Sequence, residues 1–300
     1  MYDLIIIGAG PAGITAAIYA IRKRISLLVI SKDIGGQAAW SGDIENYTGY
    51  QFVTGPELTL KFEEHMRKYN IPMKETEDVV DVRKSDDKIV VKTDKGTYES
   101  KAVIIASGKR SRELNIPGEK EFKNRGLTYC ATCDGPLFAG KDVAVIGGGN
   151  SALDAALQLI KIARRVYLIN IVARLTGDPV MIEKVQESKV VSIMNSTKVL
   201  GVTGAKMVTG IKVESEGKAR ELPVEGVFVE IGLIPNSHFA PDIAKNSLGE
   251  IRVDSFNHTN VPGIFAAGDV TDVPEKQIII AAGEGSKASL GVFRYLNQRK

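Results

Sequence analysis

The 300 residues include 39 basic and 36 acidic side chains, for a net charge of +3, with 44% hydrophobic and 25% charged residues. That is an ordinary globular balance, in a chain long enough for about two domains with sizeable cores; the charge argues for neither nucleic acid nor a membrane surface as a partner. No run approaches the ~20 apolar residues of a membrane helix, and the apolar start runs straight into glycines without a basic leader, as a buried strand does and a signal peptide does not. With only two cysteines there is no disulfide framework, and a cytoplasmic location is expected.

In chain order, residues 4–7 read as a strand that feeds the turn Gly8-Ala9-Gly10-Pro11-Ala12-Gly13. A helix through 14–20, with basic residues after it, and a strand at 26–30 complete a βαβ unit. Short strands at 79–82, 88–93 and 97–100 form a meander with turns at Asp86-Asp87 and Lys95-Gly96, and an apolar strand at 102–106 ends at Ser107-Gly108. The pattern then restarts: strand 142–146, turn Gly147-Gly148-Gly149-Asn150-Ser151-Ala152, helix 152–162 and strand 165–169. A second meander is expected at about 192–213 and an apolar strand at 227–231. The last segment holds a strand ending in Gly268-Asp269 and a helix from about 277 to 296. Two glycine turns roughly 140 residues apart predict an α/β chain of two Rossmann-like three-layer nucleotide-binding domains. The last segment has no third turn, so it completes the first domain and makes the second an insertion.

The first turn has the context its pattern requires, a strand before it and a helix after it. Gly8 and Gly10 allow a tight turn and close approach of a pyrophosphate, Gly13 allows helix–strand packing, and the helix N-terminus offers free N–H groups. Asp33 lies where an acid would meet a ribose hydroxyl. The second turn carries Ala152 in place of the third glycine, a permitted exchange. The loop after its second strand, Asn170 to Thr176, has no acid to hold a free 2′-hydroxyl, and only Arg174 could meet a 2′-phosphate. That turn reads either as a pyridine-nucleotide site or as a degenerate one.

Cys130-Ala131-Thr132-Cys133 has the spacing of a redox disulfide, in which one thiolate often has a lowered pKa. Zinc would need two further ligands, and His65, His238 and His258 stand alone, so no metal is expected. Asp134 is either a proton donor to a departing thiolate or a cap on the next turn. Trp40 is expected in the core, and the clusters Arg22-Lys23-Arg24 and Lys109-Arg110 are expected to be solvated.

These motifs make the chain similar to the low-molecular-weight thioredoxin reductases and to the flavoprotein part of the alkyl hydroperoxide reductase system. The likeness runs from residue 3 to about 296 and rests on the two glycine turns, Gly35-Gly36-Gln37, Ile44-Glu45-Asn46-Tyr47, Cys130 to Gly135, Gly268-Asp269 and Lys276-Gln277-Ile278. It implies a homodimer with one FAD in each protomer. Residues 1–112 and 241–300 would bind FAD, and 113–240 would carry the dithiol and the pyridine-nucleotide fold. Gly8, Gly10, Pro11, Ala12 and Gly13 would hold the FAD pyrophosphate. Asp33, Gly36, Gln37, Asn46 and Gly108 would contact the rest of the cofactor. Gly268 and Asp269 would hold the ribityl chain, and Lys276, Gln277 and Ile278 the pyrimidine edge. Gly147, Gly149, Asn150, Ser151, Ala152 and Asn170 would meet NADH or NADPH.

By the same resemblance Cys133 faces the flavin, Cys130 attacks a thioredoxin-like disulfide, and Asp134 donates the proton. NADPH-using relatives carry a His-Arg-Arg-x-x-x-Arg run where this chain has Asn170, Ile171, Val172 and Thr176; NADH-using relatives carry an acid. A nicotinamide donor is therefore expected without strong NADPH preference. Alternatives are ferredoxin as donor, or a flavin oxidase or redox sensor. The thioredoxin-like N-terminal domain of the peroxide-system flavoprotein has no counterpart here, so electrons are expected to leave for a separate protein.

Overall fold

The structure, a computed structural model, describes residues 1–41, 43, 44 and 46–298, without the side chains of Asp43 and Cys133. Glu45 of the Ile44-to-Tyr47 motif lies outside the described residues. The chain divides into two compact units, Met1–Arg110 with Ile234–Lys300, and Ser111–Leu233.

The first unit is built on the parallel strands Tyr2–Ala9 and Leu27–Ile34, joined by the helix Pro11–Arg22. Their apolar runs alternate between two buried faces, as the two-residue period of a strand dictates. Leu4, Ile6, Leu27 and Val29 pack against the helices with Ile14, Ala17, Ala288 and Val292. Ile5, Ile7, Leu28 and Ile30 face the other way, onto Val82, Ile89, Phe239 and Ile243. Each fully buried Ile or Leu contributes about 2 kcal/mol. The strands expected at 97–100 and 102–106 are one strand, Thr97–Ile105. Its polar half pairs antiparallel with Lys88–Thr93 and its apolar half parallel with Ile264–Ala266, while Tyr2–Ala9 runs along its other edge. The change in pattern within it marks a change of partner, not a break.

The helix Gly55–Arg67 was not anticipated. A capping box is its signature, with Thr54 accepting from the Glu57 N–H and Glu57 accepting from the Thr54 N–H. Trp40, expected in the core, is 45% exposed; it ends the short turn Gly36–Trp40, of which only Ala38 is buried.

In the second unit five parallel strands lie in the order Leu127–Thr128, Gly226–Val229, Asp142–Ile146, Arg165–Ile169, Val191–Met194. Val143 and Val145 pack under the helix Asn150–Leu159. Ala144 and Ile146 face a three-stranded antiparallel sheet, Thr197–Gly204, Val208–Ser215 and Lys218–Pro223. The expected meander at 192–213 is therefore two things, because β-propensity does not reveal a strand's partner: Val191–Met194 joins the parallel sheet, and the meander proper runs to Pro223.

The chain re-enters the first unit at Ile234, earlier than the expected 241, because Phe239 and Ala240 fill that unit's core. The helix Ile278–Asn297 then closes the unit against Pro11–Arg22. Among the described residues no helix is long and apolar enough to cross a membrane.

Candidate functional site

In the first unit the glycine turn is forced by contact. Gly8 sits at φ +103°, and a Cβ there would lie 2.3 Å from the Ala106 carbonyl oxygen; on Gly13 it would lie 1.9 Å from Gly8 O. Neither position tolerates a side chain. Gly10 caps the helix Pro11–Arg22 with Pro11 at its first turn, leaving the amino-terminal N–H groups open to an anion. Around that end the backbone is bare: the nearest atom to a Cβ on Gly10 is 3.9 Å away, Gly36 faces Gly10, and nothing lies within 4 Å of one on Gly108. Ser31 Oγ accepts from Ala9 N–H and donates to Asp33 O, tying the turn to the strand end on which Asp33 is exposed.

The fold gathers the remaining predicted residues around this turn. Asn46 Nδ2 donates to Gln277 Oε1 at 3.0 Å across 231 residues. Gln277 is the N-cap of the helix that begins at Ile278. Gln37 reaches the Lys109 carbonyl. Gly268 takes φ +76°, and its N–H donates to the buried Glu284. Burial pushes the Asp269 carboxyl above its usual range, against the pull of Lys276 and Lys109.

Lys109, expected to be solvated, is 12% exposed and pairs with Glu250 at 2.9 Å; Lys276 reaches the same oxygen at 3.1 Å. Burial opposes the Glu250 charge, but hydrogen bonds from Lys109, Asn246 and Lys276 outweigh it and hold the carboxyl down at about 2. Glu250 and Glu284 carry no sequence signal, since Lys109 and Lys276 reach Glu250, and the Gly268 N–H reaches Glu284, from other segments. This bare, anion-ready turn beside a buried carboxyl and two lysines fits a dinucleotide such as FAD.

In the second unit the strand Leu127–Thr128 leads into the dithiol segment, whose helical turn spans Ala131–Asp134. Cys130 is disulfide-bonded; the side chain of Cys133 lies outside the described residues. Thr128 Oγ1 accepts from Cys130 N–H at 3.2 Å and donates to Asp134 Oδ2 in a short hydrogen bond. Asp134 makes no side-chain cap on the following turn; its carboxylate accepts from Thr128 Oγ1 instead. Thr132 Oγ1 donates to Gln158 Oε1, and Gln158 Nε2 donates to Asp154. Tyr129 donates to the buried Glu119, which also accepts from the N–H groups of Leu114 and Asn115.

The second glycine turn follows the strand Asp142–Ile146, as expected. Gly147 sits at φ +144°, Gly149 is the N-cap of the helix Asn150–Leu159, and Ala152 is buried beneath the turn. Ser151 is exposed, whereas Asn150 Oδ1 accepts from Asp178 N–H. Asn170, expected to meet the nucleotide, is 3% exposed and turned inward. Its Nδ2 donates to Val172 O, Arg174 O and Asn195 Oδ1. It shapes the loop, and a buried amide with its donors engaged is not offered to a ribose. Ile171 and Val172 are exposed at 69% and 48%.

Residues 2–285 match the family described as pyridine nucleotide-disulphide oxidoreductase. The chain is 43% identical over 299 residues to an alkyl hydroperoxide reductase component of Staphylococcus aureus (strain MRSA252), covering 98% of this chain and 59% of that one. It is 41% identical over 298 residues to an NADH dehydrogenase of Bacillus subtilis (strain 168), covering 98% and 58%. The chain thus spans about three-fifths of the length of these curated relatives. Among solved structures, thioredoxin reductase of Lactococcus lactis (FR conformation) superposes with a TM-score of 0.93 at 32% identity, over 99% of this chain and 100% of that one.

Proposed function

The chain belongs to the pyridine nucleotide-disulphide oxidoreductase family, and from that premise we propose that it is a FAD-dependent reductase of a thioredoxin-like protein disulfide. The observation that carries the proposal is the Cys130 segment, a disulfide-bonded cysteine beside a carboxylate that a neighbouring threonine holds in place.

FAD, when bound, supplies hydride acceptance and two-electron transfer to the disulfide. The chain's own residues do the rest. The first glycine turn and the helix beginning at Pro11 would hold the pyrophosphate, and Asp269 the sugar chain. The amino end of the helix beginning at Ile278 would offer its positive dipole to negative charge on the ring. NAD(P)H and one proton together convert the Cys130–Cys133 disulfide to two thiols, leaving NAD(P)+. Cys130 then attacks the partner disulfide, forming a mixed disulfide and releasing a partner thiol. Cys133 breaks that bond and restores the internal disulfide. Asp134, anchored by Thr128, gives the departing sulfur its proton.

The relative named an NADH dehydrogenase supports a nicotinamide donor, and the resemblance supports a cytoplasmic homodimer. An anaerobic stopped-flow titration of the FAD-loaded protein with NADH and with NADPH tests the donor: rapid bleaching of the flavin by either is expected. Bleaching by neither, but by reduced ferredoxin, refutes the donor. A Cys130→Ser variant that still reduced thioredoxin at the normal rate would refute the dithiol.

A further inference from the structure

The loop after the second strand of a dinucleotide-binding unit is where the two nicotinamide dinucleotides are told apart. An acid there holds the free 2′-hydroxyl of one, and an arginine nearby accommodates the 2′-phosphate of the other. Here that loop follows the strand Arg165–Ile169 and runs from Asn170 to Asp178, and its polar groups are turned onto the protein itself.

Asn170 stands against the glycine turn, where the acid would be: a Cβ on Gly148 would lie 2.5 Å from Asn170 Oδ1. Its N–H donates to Met194 O at 2.9 Å and its carbonyl accepts from Thr197 N–H at 3.0 Å. Its Nδ2 is set among three acceptors, Val172 O at 3.0 Å, Arg174 O at 2.8 Å and Asn195 Oδ1 at 3.1 Å. An amide has two protons, so three acceptors leave none for a ligand. Val172 O also accepts from Ser196 N–H at 3.0 Å, which pins the loop from its other side.

Thr176 donates its N–H to Gly148 O at 2.7 Å, and its hydroxyl to the same oxygen at 3.4 Å. Asp178 is the only acid of the loop. Its N–H donates to Asn150 Oδ1, and its carboxylate caps the helix Pro179–Glu187, accepting from Val180 N–H at 2.9 Å. What remains outward is apolar, Ile171 and Val172, together with one exposed cation, Arg174.

We propose that the second glycine turn is blind to the 2′ position: it takes nicotinamide dinucleotides with and without the 2′-phosphate at closely similar affinity. This rests on reading that turn as a nucleotide site. Asn170 occupies the place of the discriminating acid with a neutral amide whose protons are engaged. Recognition falls to the pyrophosphate, which both ligands share, at the amino end of the helix Asn150–Leu159. Arg174 adds little, because a solvated guanidinium pairs weakly.

The test is calorimetric titration of the FAD-loaded protein with NAD+ and with NADP+, which leave oxidised flavin unchanged. The two Kd values should agree within about five-fold, the most a solvated Arg174 contributes toward a phosphate, and Arg174→Ala should draw them closer. Ile171→Arg, at an exposed position, supplies the missing guanidinium; it should tighten NADP+ about ten-fold and leave NAD+ unchanged. A wild-type ratio beyond five-fold in either direction, or an Ile171→Arg variant that binds NADP+ as the parent does, overturns the blind site and leaves the nucleotide site standing. Binding of neither NAD+ nor NADP+ overturns the nucleotide site and this proposal with it.

Discussion

Replacing Glu250 by Gln removes the anion shared by Lys109 and Lys276, and its cost follows from the geometry. The carboxyl sits at about 2 against roughly 4.3 for an unperturbed glutamate, a difference of about 3 kcal/mol in favour of the charged form. Because the folded value is depressed, that contribution is fully present above roughly pH 4.3, the unfolded value, and is lost as pH falls through about 2. The variant also strands Lys109, which is 12% exposed, without its counter-charge, and uncompensated buried charges are what make broken pairs costly. Urea unfolding of the FAD-loaded protein at pH 7 should therefore show Glu250→Gln about 3 kcal/mol less stable than the parent. Between pH 4.5 and 2 the parent should lose most of that advantage, so that the two proteins converge. The reasoning fails if the variant lies within about 0.5 kcal/mol of the parent at pH 7, the range of an ordinary surface change, or if both lose stability in parallel on acidification.

Gly13→Val drives a side chain into Gly8 O, only 1.9 Å from the first added carbon, so the purified variant should lack the yellow flavin absorbance of the parent. Asp134→Asn should lower turnover with a thioredoxin-like substrate by about 100-fold, the range of a lost general acid; unchanged turnover would remove Asp134 from the chemistry. Asn170→Ala leaves Val172 O, Arg174 O and Asn195 without their donor, so it should cost about 1–3 kcal/mol in stability. Its ratio of NADH to NADPH activity should stay that of the parent, and a changed ratio would mean that the amide reaches the nucleotide after all.

Local pattern made both glycine turns legible, because a strand, a turn that only glycine can make and a helix are consecutive in the chain, and steric exclusion acts within a few residues. The cysteine spacing was legible for the same reason, as was the strand Asp142–Ile146, whose bounds came out as expected. What pairs across long separations was not. The strand Thr97–Ile105 looked like two, since its halves serve different neighbours. Lys109 looked like a solvated cation until the fold delivered Glu250 from 141 residues away. Asn170 looked like a ligand contact until Asn195 and the loop carbonyls closed around its amide. The sequence by itself determined the backbone geometry of the two glycine turns and the spacing of the two cysteines. Only the tertiary structure decided which charges are buried and against what, because burial and the field of neighbouring groups exist only once distant segments are packed together.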